Sequence, residues 1–271
     1  MASRRAVHLA VVLSGLAILF AACSPPAAPA TDRSAASPPL GSSFDYQLGG
    51  AYAPPAGVEI VARDRTAAPA VDVYSICYIN GFQTQPGELD LWPEGLVLRD
   101  ADGGPLYDPE WPDEAILDTR RADDVAAVVL PWIHGCADAG FDAVEFDNLD
   151  TYTRTGGILT RDDNVALARL LVRAAHDAGL AAGQKNAAED ASLLHDRAGF
   201  DFAVAEECVA FDECTAYTAV YGDAVLAIEY PDTVKTTWED VCADPERPRS
   251  IVLRDRDLVT PTDPGYLYET C

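Results

Sequence analysis

Two short apolar stretches of the sequence end in side chains suited to acid-base chemistry. The stretch FDAVEFDNLD spans 141–150, and its polar groups after the first strand residues are Glu145, Asp147, Asn148 and Asp150. The stretch FDFAVAEEC spans 200–208, and its last two acids are Glu206 and Glu207. A buried strand that ends in acids delivers them to the C-terminal mouth of a barrel. Two carboxylates across such a mouth are the catalytic groups of most enzymes that hydrolyse glycosidic bonds.

The period of a β-strand predicts which of these acids share a pocket. Glu145 and Asp147 are two residues apart and point to the same side, whereas Glu206 and Glu207 point to opposite sides. We therefore expect only one of the latter two to face the pocket. A salt bridge or a solvated rim is the alternative interpretation of each single acid. A divalent cation held by Glu145, Asp147 and Asp150 is a further alternative, although three acids on one strand end cannot all face one ion. No cofactor is indicated.

Other polar side chains follow further strand candidates. Lys185 and Asn186 end the stretch AAGQKN, where a cation lowers the pKa of a neighbouring carboxylate and an amide holds a hydroxyl. An ion pair that only stabilises the barrel is the alternative. Tyr78 and Tyr230 are predicted as walls of a sugar site, and Glu229 precedes Tyr230 at the end of its strand. In the long irregular stretch 82–113, Trp92 and Trp111 either stack on sugar rings or pack the rim.

The elements that must position these groups alternate along the chain. Apolar strand candidates lie at 44–48, 58–62, 71–79, 115–120, 141–146, 181–186, 200–208, 224–230 and 250–254. Helical patterns lie between several of them, at 123–139, 161–178 and 188–197. This order predicts an α/β protein with a (β/α)₈ TIM-type barrel. Nine strand candidates are one too many, and AILDTR at 115–120 is the expected extra. The acidic strands are then the fourth and the sixth.

The ends of the chain predict export and disulfide bonds. Residues 1–22 read as a signal peptide of lipoprotein type, with lipid on Cys23, and 23–43 as a Pro/Ala/Ser-rich tether before a barrel at 44–271. Ordinary secretion is the alternative, because Phe20 is bulky for a lipoprotein signal. Without Cys23, six of the seven cysteines remain, an even number typical of secreted proteins. Cys208 and Cys214 are expected to close a local loop. A Cys242–Cys271 bond could pin the tail, and the pairing of these two and of Cys77 and Cys136 stays open.

The charge balance restricts the partners. The chain has 44 acidic and 19 basic residues and a formal net charge of −25. Nucleic acid is excluded as a partner on this balance, whereas a cationic polysaccharide would be attracted. Acidity that serves only solubility is the alternative. The expected location is extracellular or at the cell surface, with membrane contact through the lipid alone.

Five segments together resemble one enzyme family. They are ICYIN at 76–80, GFDAVEFDNLDTY at 140–152, AAHDAGLAAGQKNA at 174–187, FDFAVAEECVAFDEC at 200–214 and AIEY at 227–230. In order and spacing they resemble the endo-α-1,4-polygalactosaminidase family, glycoside hydrolase family 114, over most of 44–255. The resemblance implies a TIM-type barrel that cleaves α-1,4-linked galactosamine polymers with retention, and a Cys208–Cys214 bond.

The resemblance also implies roles for individual residues. Asp147 matches the family's nucleophile and Glu206 its acid/base, whereas Ala205 and Glu207 stand where the family usually has Asn and Gln. The residues expected to bind substrate or to tune the pair are Glu145, Asn148, Asp150, Lys185, Asn186, Tyr78, Glu229 and Tyr230. Two alternatives remain: hydrolysis of another α-linked polysaccharide, and a surface lipoprotein that binds glycan without cleaving it.

Overall fold

A computed structural model describes residues 35–271, and its centre is a nearly closed barrel of eight parallel strands. Each strand pairs with the next along the chain, as successive βα units require. The strands are β1 Phe44–Gln47, β2 Ile60–Asp64, β3 Tyr74–Asn80, β4 Ala143–Asp147, β5 Ala181–Lys185, β6 Phe202–Glu206, β7 Val225–Glu229 and β8 Ser250–Arg254. Where the last barrel strand, β8, meets the first, β1, the Arg254 guanidinium lies 2.8 Å from the Asp45 carboxylate. The predicted (β/α)₈ class is confirmed, with the acidic strands in fourth and sixth place.

The ninth strand is not the one that the sequence pattern offered. Residues 115–117 form isolated antiparallel bridges with Gln83, Val97 and Tyr107, all within the irregular loop at 82–118. They stay outside the barrel, as expected. Instead β9, Tyr268–Thr270, pairs antiparallel with β8. It is three residues long and largely exposed, so it has no apolar alternation that could mark it in the sequence.

Five helices lie outside the strands in the described part of the chain. They are α1 Ala122–Ala139, α2 Arg161–Asp177, α3 Ala191–Ala198, α4 Cys214–Tyr221 and α5 Trp238–Ala243. Helix α2 begins after Thr160, whose hydroxyl accepts from the amide of Asp163 while the Asp163 carboxylate accepts from the amide of Thr160. This capping box satisfies two amides that the first helical turn leaves free. Helix α1 continues through Pro131.

Three disulfide bonds tie outer elements to the barrel. The expected Cys208–Cys214 bond is confirmed. Of the pairing that the sequence left open, Cys242 joins Cys271 and Cys77 joins Cys136, which links β3 to α1. The predicted signal peptide and Cys23 lie outside the described residues. Of the predicted tether, only 35–43 is described, and there the Ala36 carbonyl accepts from the Tyr74 hydroxyl at 2.6 Å. Within 35–271, no helix is long and apolar enough to cross a membrane.

The barrel interior leaves no room for a side chain at Gly183 of β5. A Cβ there would lie 2.5 Å from Cζ of Phe202 on β6. Gly183→Ala is therefore expected to lower the free energy of unfolding by about 1–3 kcal/mol through overpacking. Gly135→Ala is the matched control, because Gly135 lies in α1 with nothing within 4 Å of its Cβ position. The control should raise stability by about 0.5–1 kcal/mol. Urea unfolding measures both, and equal midpoints for the two variants would contradict the packing.

Candidate active site

The C-terminal ends of β4, β5 and β6 place three charged groups beside one another. Asp147, Lys185 and Glu206 are the last residues of these strands and line a cleft of about 970 Å³. Directly after these strand ends the chain turns through left-handed backbone, with φ of 63° at Asn148 and 54° at Asn186. Such conformations cost energy for non-glycine residues and cluster at functional sites. The three charged side chains therefore share the mouth of the barrel.

A buried lysine joins the two predicted catalytic acids. The Lys185 ammonium lies 2.7 Å from Oε2 of Glu206 and 3.5 Å from Oδ2 of Asp147. Its side chain is 2% exposed. Burial lowers the pKa of Lys185, but Asp147, Glu206 and Glu145 raise it above its ordinary value in total. Lys185 is therefore charged at neutral pH, and its ammonium forms ion pairs with both carboxylates.

Each of the two carboxylates is also oriented by hydrogen bonds. Asp147 accepts from the Tyr78 hydroxyl at 2.8 Å and from the Asn148 amide at 2.7 Å. Glu206 accepts from the Tyr230 hydroxyl and, at 3.3 Å, from the Asn186 side-chain amide. Both side chains are thus held in fixed positions without a ligand.

The surroundings of Glu206 favour its charged form. Burial raises the pKa of Glu206, but the charge and hydrogen bond of Lys185, together with the hydrogen bonds from Tyr230 and Asn186, lower it below its ordinary value. The carboxylate is therefore ionised at neutral pH in the free protein.

Two of the predicted substrate contacts do not reach the cleft. Glu145 is fully buried inside the barrel and accepts from the Tyr46 hydroxyl at 2.8 Å. Glu229 is also fully buried and accepts from the backbone amides of Val209 at 2.8 Å and Ala210 at 3.3 Å. Burial raises the pKa of each glutamate to about 7. Neither residue lines the cleft, so the structure supports no direct substrate contact for them, whereas the charge of Glu145 raises the pKa of Lys185 and can still tune the acid pair.

The other predicted contact residues do line the cleft. They are Tyr78, Asn148, Asp150, Lys185, Asn186 and Tyr230. Asp150 is already paired there, with its Oδ1 2.8 Å from Nη1 of Arg154. Asn148 lines the wall directly after the Asp147 strand end.

The expectation that strand alternation turns Glu207 away from the pocket is wrong. Strand β6 ends at Glu206, and Glu207 has a φ of 61°, so the period of two no longer applies. Both glutamates line the cleft. Oε1 of Glu207 lies 2.8 Å from Nη2 of Arg256. A second carboxylate therefore sits beside Glu206, compensated by an arginine that the sequence patterns did not single out.

The long 82–118 loop contributes a carboxylate that was missed. Glu114 lines the cleft, and its Oε2 accepts from the Asn80 side-chain amide at 2.9 Å. Burial and the nearby Asp147 raise the pKa of Glu114 to about 7. Trp111 is 59% exposed and also lines the cleft, whereas Trp92 is buried edge-on against Trp132. Of the two tryptophans, only Trp111 is available to a ligand.

A metal site of protein side chains finds little support in 35–271. One group of potential ligand atoms is close enough together, formed by Cys208, Cys214 and Glu229. The two cysteines are joined in a disulfide, so their sulfurs are not thiolate ligands.

A pair of oriented carboxylates at the open end of a (β/α)₈ barrel is the arrangement that a glycoside hydrolase uses. The sequence matches the family model of glycoside-hydrolase family GH114 over residues 25–271, and the chain belongs to that family. A search of curated proteins gave no significant match.

Two solved structures share the fold. The crystal structure of Aspergillus fumigatus Ega3 in complex with galactosamine is 23% identical, with a TM-score of 0.71 over 88% of this chain and 98% of the other. The glycoside hydrolase domain of PelA from Pseudomonas aeruginosa is 15% identical, with a TM-score of 0.60 over 81% of this chain and 97% of the other. At these identities the likeness is one of fold.

Proposed function

We propose that this glycoside hydrolase cleaves α-1,4-linked galactosamine-containing polysaccharide with retention of the anomeric configuration. Asp147 attacks the anomeric carbon while Glu206 protonates the leaving glycosidic oxygen. Glu206 then takes a proton from the water that hydrolyses the glycosyl-enzyme. The observation that carries this proposal is the Lys185 ammonium in contact with both carboxylates.

The spacing of the carboxylates supports retention. The Asp147 and Glu206 oxygens that contact Lys185 lie 3.5 Å and 2.7 Å from its nitrogen, so their separation cannot exceed the sum of these distances. That limit admits the roughly 5–5.5 Å between carboxyl groups that a retaining enzyme uses for direct attack by its nucleophile.

Lys185 serves the two chemical steps differently. In the first step Glu206 must carry a proton, which its lowered pKa disfavours, so acidic pH should favour bond cleavage. When Asp147 is esterified, it no longer has a charge for Lys185 to balance. The ammonium then pairs with Glu206 alone, and this favours the carboxylate that the second step needs as a base.

Lys185→Met should move the pH dependence of kcat/KM. The change removes the ammonium that lowers the pKa of Glu206, so this pKa should rise. Because the general acid acts in its protonated form, the fall of kcat/KM with rising pH should move to higher pH by the same amount.

Lys235→Met is the matched control for that variant. Its ammonium binds the Ala210 carbonyl at 2.9 Å and does not line the cleft. The control should keep the wild-type pH profile. An unshifted profile in active Lys185→Met would contradict the coupling of Lys185 to the acid.

The charge of the cleft supports a cationic sugar. Its basic lining residues are Arg154, Lys185 and Arg256. Its acidic ones are Asp64, Glu110, Glu114, Asp147, Asp150, Glu189, Glu206, Glu207, Glu213 and Asp257. Among these, Glu114 has its pKa raised by the charge of Asp147, and its described hydrogen-bond partner is the neutral side-chain amide of Asn80. The ammonium of a galactosamine unit would offset this cluster of charge. The solved structure of Ega3 contains galactosamine, which agrees with this substrate class.

A substrate panel tests the proposed specificity. We expect the fully deacetylated α-1,4-galactosamine polymer to be cleaved faster than its N-acetylated form, and a neutral α-1,4-galactan slowest. At a pH above 7, where Glu114 is ionised, Glu114→Gln should lower kcat/KM on the deacetylated polymer about tenfold, as for the loss of one charged contact, and leave the acetylated polymer unchanged. Equal rates on the three polymers would favour another specificity, and binding without cleavage would favour a glycan-binding lipoprotein.

We also propose export with a lipid anchor on Cys23. The apolar segment before Cys23 and the three disulfide bonds support an oxidising compartment. Metabolic palmitate labelling of the protein in a bacterial host should give a labelled band that Cys23→Ala abolishes. Release of unlabelled wild type into the medium would instead indicate ordinary secretion.

A further inference from the structure

Arg256 binds three neighbours at the cleft rim. Its Nη2 lies 2.8 Å from Oε1 of Glu207, and its Nε lies 2.7 Å from Oδ2 of Asp232. Its Cζ lies 4.5 Å from the centre of the Tyr230 ring. Arg256 follows β8, Glu207 follows β6, and Tyr230 follows β7. One guanidinium therefore connects the ends of three barrel strands.

Glu207 keeps a costly backbone conformation next to the acid/base. Its φ of 61° is unfavourable for a residue with a Cβ. Its amide donates to the Ile228 carbonyl at 2.7 Å, and its carboxylate pairs with Arg256. The side chain is 18% exposed, so water screens its charge only in part. Unpaired, this carboxylate would disfavour the charged form of Glu206.

Tyr230 connects the arginine to Glu206. Its ring lies under the guanidinium, and its hydroxyl donates to Oε1 of Glu206. Burial raises the pKa of Tyr230, while Arg256 acts in the opposite direction. A cation over the ring holds the ring by cation–π attraction and makes the phenol a better hydrogen-bond donor. The arginine thus reaches Glu206 through an intact chain of contacts.

We propose that Arg256 is a positioning residue for the acid/base: its ion pair with Glu207 offsets the charge of that carboxylate beside Glu206, and its position over the Tyr230 ring keeps the Tyr230 hydroxyl on Glu206. This inference rests on the acid/base role proposed for Glu206. It also gives Glu207 a role, because the Glu207 carboxylate forms the ion pair that holds Arg256 in place. Asp232 holds the other side of the guanidinium, with a second contact of 3.0 Å.

Several charged and titratable groups surround Glu206, and the test must separate Arg256 from them. They are Lys185 on β5, Asp147 and Glu145 on β4, Tyr46 on β1 and Tyr230 after β7, and Glu207 is the next residue of the chain. Arg256→Gln leaves the side chains of the first four in place, uncovers the Tyr230 ring and removes the partner of Glu207. A shift that depends on Glu207 therefore identifies the arginine path.

The experiment compares Arg256→Gln, Glu207→Gln and the double variant by kcat/KM against pH. Arg256→Gln should lower kcat/KM about tenfold, as for the loss of one charged contact. Its fall of activity with rising pH should move to higher pH, because the unpaired Glu207 raises the pKa of Glu206. Glu207→Gln in the same chain should return the profile toward that of wild type. Arg197→Gln is the matched control, since Arg197 pairs with Asp162 at 2.7 Å on the exposed helix surface.

A ¹³C NMR titration of the Glu206 carboxyl gives a readout that does not need activity. The signal is assigned by its loss in Glu206→Gln. Its midpoint should rise in Arg256→Gln, return in the double variant and stay in place in Arg197→Gln. An unchanged midpoint, or the same rise with and without Glu207, would overturn the proposal. If no polymer is cleaved by wild type, the proposed function fails, and the titration still decides the role of Arg256.

Discussion

Asp147→Asn is expected to lower kcat on the polymer about a thousandfold or more while the barrel stays folded. An amide oxygen is too weak a nucleophile to form the glycosyl-enzyme. The new side chain can still accept from the Tyr78 hydroxyl, which lies 2.8 Å from the carboxylate, so the strand end should keep its shape. Reducing-end release measures kcat, and far-UV circular dichroism with thermal unfolding measures the fold.

Asp162→Asn is the matched control for this change. Asp162 lies in the first turn of α2, where its carboxylate pairs with Arg197 on the surface. The same loss of a carboxylate there should leave kcat within about twofold of wild type, because surface ion pairs contribute little. Full activity of Asp147→Asn would remove Asp147 from the mechanism.

Glu206→Ala is expected to separate the two chemical steps. The polymer has a poor leaving group and needs the acid, so its hydrolysis should fall about a thousandfold or more. The phenol of a suitable aryl galactosaminide is acidic enough to leave without that help. This substrate should therefore release one equivalent of phenol in a burst. The glycosyl-enzyme on Asp147 then accumulates, because no base activates water.

Added azide completes the test of Glu206. A small anion enters the space of the missing carboxylate and attacks the intermediate without a base. It should restore turnover and give an α-galactosaminyl azide, the configuration of the substrate. The absence of both a burst and azide rescue in folded Glu206→Ala would contradict the acid/base role. A β-azide would contradict the covalent intermediate.

The sequence could predict the barrel and the strands that carry the two acids. Both stretches are short apolar runs that stop at carboxylates, and such a run has few alternatives to a buried parallel strand. The order of β4, β5 and β6 also placed Lys185 between Asp147 and Glu206. The distances from Lys185 to each acid were beyond the sequence, because they depend on how the barrel twists and closes.

The failures have identifiable physical causes. Glu207 faces the cleft because its backbone turns left-handed, and no residue type marks that turn in the sequence. Glu114 lies in the irregular 82–118 loop, where no periodicity exists to place it. Glu145 and Glu229 were predicted to touch substrate from their positions near strand ends. Burial inside the fold and binding of backbone amides are outcomes of packing that strand alternation does not show.

The most direct test of the central claim is ¹H NMR of the first reducing ends formed from partly deacetylated α-1,4-galactosaminogalactan, with wild type beside Glu206→Gln. The account predicts release by wild type alone, with the α-anomer formed first and the β-anomer growing later by mutarotation. Release by both proteins would keep the activity and remove Glu206 from the mechanism. A β-anomer formed first, or no release by folded wild type, would contradict retaining cleavage of this polymer.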